Sequence, residues 1–173
     1  MRSIDLVITE KCSLKCKDCA NLMQYYEAPV NICYKELVND FDNLIKNVNY
    51  IYEIRLIGGE PFMNKDIYKI IDYISFCEKV SKIVIYTNAT IPIKEKEYEI
   101  KVLQNHKILF ALTDYGSLSK NTNKIVFTLD RLGIAYRLHP PENWTDSGKI
   151  YNYNRSIPEL KKIFNDCCGK NLL

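Results

Sequence analysis

No stretch of this 173-residue chain approaches the roughly 18 consecutive apolar residues that a membrane-spanning helix needs. The opening "MRSIDLVITEK" has an apolar run far too short for a signal peptide, and it meets a charge at Glu10. A dense basic stripe is also lacking. The formal net charge is only +3 and the lysines are scattered along the chain, so no nucleic-acid or membrane surface is expected. There is no internal repeat and no low-complexity segment. What remains is ordinary: 47% apolar and 26% charged residues over a length that fits one domain with a real core. These absences predict a cytoplasmic protein, where thiols stay reduced.

An even number of cysteines is missing as well. The chain has seven, and three of them crowd into "KCSLKCKDCA" as Cys12, Cys16 and Cys19. An odd, clustered set argues for metal rather than disulfides. Three thiolates fall short of the four ligands of a closed zinc site. Cys33, after a gap of 13 residues, could complete one; otherwise Cys33 is expected to be a buried thiol. Alternatively, three sulfurs can hold three irons of a cubane cluster and leave the fourth iron open for a small molecule. The amine and carboxylate of an amino acid would suit that iron.

Strands and helices alternate along the chain. "SIDLVIT" (3–9) reads as a strand ending at the cysteine loop, and 36–48 as a helix with Leu37, Phe41, Leu44, Ile45 and Val48 inward. A strand at 50–59 closes on two glycines. Asn64 is expected to cap a helix with Ile67, Ile70, Ile71 and Ile74 on its inner face. Strands follow at 82–89, 107–116 and 133–139, with a weaker helix around 95–105. A further helix is expected to be capped by Ser119 and ended by Gly133, with Ile125, Val126, Leu129 and Leu132 inward. Residues 140–157 read as a loop.

Apolar strands separated by amphipathic helices imply an α/β fold with a parallel sheet and right-handed crossovers, an open sheet or part of a β/α barrel. In either, active groups gather at the C-terminal strand ends. The unusual residues fall there: the cysteine loop after the first strand, "GGEP" (58–61) after the second, "TNA" (87–89) at the third and "TDYG" (113–116) at the fourth.

Cys12-x3-Cys16-x2-Cys19 followed by Gly58-Gly59-Glu60-Pro61 at the next strand end resembles the radical S-adenosylmethionine (SAM) enzymes, over about residues 3 to 139. The resemblance implies a partial β/α barrel. It implies that Cys12, Cys16 and Cys19 ligate a [4Fe–4S] cluster whose open iron takes the methionine part of SAM. Gly58, Gly59 and Glu60 would receive the methionine ammonium, largely through backbone carbonyls, and the glycines would let backbone approach the ligand closely. Asn88 and Thr113 would face the ribose or carboxylate. Reductive cleavage of SAM would yield a 5′-deoxyadenosyl radical that takes hydrogen from a small-molecule or peptide substrate. The electron donor would be a carrier such as flavodoxin or ferredoxin. Many relatives carry an aromatic residue before the third cysteine. Here it is Asp18, and Tyr25 or Tyr26 could supply the ring.

The domain reading is a core over 1–155 and a C-terminal helix and tail over 156–173. In that tail Leu160, Ile163, Phe164 and Cys167 are expected to face the barrel. The adjacent Cys167 and Cys168 resemble the start of an auxiliary-cluster extension, or are a core thiol and an incidental one. Cys77 reads as core; His139, Arg137 and Trp144 are weaker site candidates. The alternatives to a hydrogen-abstracting enzyme are a small glycyl-radical activase acting on a partner protein, and a non-catalytic iron–sulfur or zinc domain.

Overall fold

The computed structural model describes residues 1–142 and 153–166. Five strands, β1 (Ser3–Val7), β2 (Ile51–Ile57), β3 (Val80–Thr87), β4 (Ile108–Thr113) and β5 (Tyr136–His139), form one sheet. They lie in sequence order, and every neighbouring pair is parallel. Between them run α1 (Tyr34–Lys46), α2 (Ile67–Ser75), α3 (Glu97–Leu103) and α4 (Thr122–Leu132), and α5 (Ile157–Asp166) follows β5. Because the strand order never reverses, crossovers of one hand all fall on the same side of the sheet. This is a partial β/α barrel.

The helix-facing side explains the isoleucine-rich strands. Ile54, Leu56, Ile83, Ile85, Phe110 and Leu112 are fully buried against Phe41, Ile70, Ile71, Ile74, Leu103, Ile125 and Leu129 from the four crossover helices. Alternation sends the other side chains to the opposite face. There lie Asp5, Arg55, Tyr86 and Arg137, none of them fully buried.

Two expected caps are absent. Residue 66, not Asn64, precedes α2, and Asn64 is instead a buried brace. Its Nδ2 donates to the Ile8 carbonyl at 2.7 Å, and its Oδ1 accepts from the Asp66 N–H at 2.9 Å. Asn121 precedes α4, and buried Ser119 ties loops together by donating to the Asn88 carbonyl at 2.6 Å. Both polar residues are used by the fold beyond their own helices, where spacing within a helix cannot reveal them. Helix α5 also departs from expectation: Leu160 and Phe164 are 51% and 62% exposed. Its apolar stripe is real but is not packed on the sheet by the described residues. Cys167, Cys168 and Trp144 lie outside the described residues. Among those described, no helix is long and apolar enough to cross a membrane.

Candidate functional site

The residues leaving β1 and β2 are laced together at the C-terminal edge of the sheet. The Gly59 N–H donates to the Thr9 carbonyl at 3.0 Å, and the Glu60 N–H donates to the Lys11 carbonyl at 2.8 Å. Both glycines are required by this approach. A Cβ on Gly58, whose φ is +151°, would lie 2.3 Å from the Thr9 carbonyl oxygen. One on Gly59 would lie 2.1 Å from the Lys11 carbonyl oxygen and 2.7 Å from the Cys12 Cβ. The space that sequence reasoning left for a ligand is filled on this side by the root of the cysteine loop. Thr9 stiffens that root, donating to Asn31 at 2.6 Å and accepting from the Lys11 N–H at 3.0 Å.

Above it opens a cavity of about 200 Å³. Cys12, Cys16 and Cys19 line it together with Gly58, Gly59, Asn88 and Thr113, so seven of the eight residues singled out from sequence share one space. Glu60 is the eighth, and its side chain does not line the cavity. It is fully buried and pins the end of β3: Thr87 Oγ1 donates to both carboxylate oxygens at 2.9 and 3.0 Å, the Asn88 N–H at 2.8 Å and the Phe62 N–H at 3.2 Å. Burial pushes its pKa up from 4.5 to about 7, against these donors, which favour the ionised form.

Asn88 is the link between the third strand end and the cysteines. Its Nδ2 lies 3.8 Å from Cys12 Sγ and 3.3 Å from Ser13 Oγ, while its Oδ1 accepts from the Thr90 N–H at 3.0 Å. Thr87 and Tyr115, from the TNA and TDYG stretches, also line the cavity, as do Asn21 and Tyr86, which were not singled out. Asn21 donates to the Gly58 carbonyl at 3.3 Å. Only proximity to the motifs could have flagged them. Neither Tyr25 nor Tyr26 lines the cavity; Leu14 and Met23 supply its apolar wall. Arg137 lies over the Tyr86 ring and donates to its hydroxyl at 2.6 Å, and His139 is beside Thr113 in register, outside the cavity lining.

Cys33 is exposed, which corrects the expectation of a buried thiol, and it lines a different cavity. Cys77 packs on the core, as expected. Among the described residues no three His, Cys, Asp or Glu side chains converge on a single-ion site. Three thiols lining one cavity are the kind of donor set that a cubane, in which each thiolate takes its own iron, would need. Burial raises the pKa of Cys12 and Cys16, which favours the protonated thiols, so metal binding there would be coupled to proton release.

A model of the Radical SAM superfamily matches residues 6–124. The chain belongs to that superfamily. Radical SAM proteins work with a [4Fe–4S] cluster and SAM, and the three-cysteine cavity fits that pair. The chain is 33% identical, over 88 residues, to the GTP 3′,8-cyclase of Mannheimia succiniciproducens, a stretch that is 48% of this chain and 25% of that protein. Its fold resembles that of Streptococcus suis SuiB bound to S-adenosylmethionine, with a TM-score of 0.61 and 17% identity over 94% of this chain and 37% of the other. It also resembles anSMEcpe with bound AdoMet and Kp18Cys peptide, with a TM-score of 0.58 and 16% identity over 79% of this chain and 42% of the other. The chain therefore spans less than half the length of each of these relatives.

Proposed function

We propose that residues 1–155 are the core of a radical SAM enzyme that abstracts hydrogen from a small-molecule or peptide substrate. The observation that carries this reading is the sharing of one strand-end cavity by Cys12, Cys16, Cys19, Gly58, Gly59, Asn88 and Thr113. The three cysteines would hold the [4Fe–4S] cluster. Backbone carbonyls of residues 58–60 would receive the methionine ammonium of SAM, and Asn88 and Thr113 would face its ribose or carboxylate. When bound, cluster and SAM together supply reductive cleavage to a 5′-deoxyadenosyl radical. The chain's own part is placement. The Gly59–Lys11 contact sets the cysteine loop against β2, buried Glu60 fixes the β2 and β3 ends relative to each other, and Leu14 and Met23 keep one wall dry.

The peptide in the structure of anSMEcpe supports a peptide as one substrate class for this fold, and the likeness to a GTP 3′,8-cyclase supports a small molecule as another. After anaerobic reconstitution with iron and sulfide, the protein is expected to bind about four irons and, with dithionite and SAM, to release 5′-deoxyadenosine. Cys12→Ala should abolish both. Stoichiometric zinc in place of iron, or a cluster that releases no 5′-deoxyadenosine, would overturn the reading.

A further inference from the structure

A second cavity, of about 580 Å³, is lined by Lys11 at the root of the cysteine loop and by residues around the starts of α1 and α2. Lys11, Lys35, Lys65 and Lys69 line it, with Asp66 as the only acidic residue among its lining. That surplus of three positive charges equals the formal +3 of the whole chain, so the rest of the molecule is formally neutral. Lys69 pairs with Asp66 at 2.9 Å, but among the described residues no carboxylate lies within ion-pair reach of Lys11, Lys35 or Lys65. The first turn of α1 reaches the same cavity through Tyr34 and Lys35, without a side-chain cap to occupy its N–H groups; Glu36 of that turn and Glu10, which accepts from the Val30 N–H at 2.9 Å, stand near it without pairing with these lysines. The linings of the two cavities are adjacent along the chain here: Lys11 lines this one and Cys12 the three-cysteine cavity.

We propose that this lysine-lined face is the docking surface for an acidic one-electron carrier protein. The inference rests on the function proposed above, because reductive cleavage consumes an electron that no group of this chain supplies. The carrier loses one electron and the cluster gains it; no bond forms or breaks. A lysine-lined face one residue along the chain from Cys12, a ligand in the function proposed above, would steer an acidic partner toward the cysteine loop. Such encounters are small, transient and governed by charge.

The test uses the reconstituted full chain and, as probe, a purified acidic flavodoxin. Binding of oxidised flavodoxin is expected to weaken by tenfold or more when ionic strength rises from about 0.01 M to about 0.15 M. Lys35→Glu/Lys65→Glu should weaken it at least as much at low salt, and Lys35→Gln/Lys65→Gln by less. Reduction of the cluster by flavodoxin hydroquinone should slow in parallel, while reduction by dithionite keeps its rate. Circular dichroism and iron content unchanged in both variants would show that the fold and cluster are intact. Flavodoxin binding that ignores these lysines, or that is absent in the parent protein, overturns the docking proposal even where dithionite-driven SAM cleavage upholds the proposed function. A polyglutamate peptide that binds this face more tightly than flavodoxin, with the same lysine dependence, assigns it to an acidic peptide and overturns the proposal too.

Discussion

At Gly59 one added methyl group would have to displace the Lys11 carbonyl and the Cys12 Cβ together. Gly59→Ala is therefore expected to lower iron stoichiometry, measured after reconstitution, while Gly133→Ala serves as its control. Gly133, at φ +65°, has nothing within 4 Å of the added Cβ, so that variant should lose only about 1–2 kcal/mol of stability and keep its iron. The Asn88 amide near Cys12 Sγ makes a second residue-scale prediction. A hydrogen bond to a cluster thiolate favours the reduced, more negative state. If that preference is about 1 kcal/mol, Asn88→Ala should lower the cluster potential by roughly 40 mV in a redox titration. Glu60 carries a pH dependence. With its folded pKa up from 4.5 to about 7, the folded state holds a proton that the unfolded state has released, so its contribution falls as pH rises across that window. Glu60→Gln turns an amide N–H toward the Phe62 or Asn88 donor and should be less stable by about 1–3 kcal/mol near the acidic end. Denaturant titrations should show that deficit narrowing as pH climbs through the window, because only the parent protein must then bury a charge.

Among the elements, α2 and α5 have similar apolar stripes and opposite fates. Ile70, Ile71 and Ile74 of α2 are fully buried under β2 to β4, whereas Leu160 of α5 is 51% exposed. Ile71→Ala should cost about 2–5 kcal/mol in urea unfolding, through lost transfer energy and the cavity left behind. Leu160→Ala should stay within about 0.5 kcal/mol. An equal loss at both positions would mean that α5 is packed after all.

For the whole molecule, the sheet separates two tasks: its helix side supplies the core and its C-terminal edge supplies the cavity. Cys33 belongs to neither, being exposed beyond the cysteine loop. Cys33→Ala is thus expected to leave iron content near that of the parent, whereas Cys16→Ala should remove the cluster signal. Iron lost equally in both variants would make Cys33 a ligand and break the division between the two cavities.

Strand and helix order, the parallel sheet and the clustering of three cysteines at one strand end were legible in the sequence, because each rests on periodicity or spacing within a few residues of chain. Cys12, Cys16 and Cys19 declare themselves by number and proximity, and the buried isoleucines of α2 by their helical repeat. Contacts between distant segments were not legible. Glu60 reads as a site carboxylate but is turned inward by Thr87 and Asn88, at and just past the end of β3, 27 and 28 residues further along the chain. Asn64 and Ser119 read as caps but answer carbonyls of Ile8 and Asn88. The lysines at 11, 35, 65 and 69 read as scattered and converge on one cavity. Sequence determined what each segment is, since local propensity and pattern act within it. Only the tertiary structure decided which buried polar groups satisfy one another and where charge accumulates, because hydrogen bonds and Coulomb forces depend on distance in space rather than along the chain.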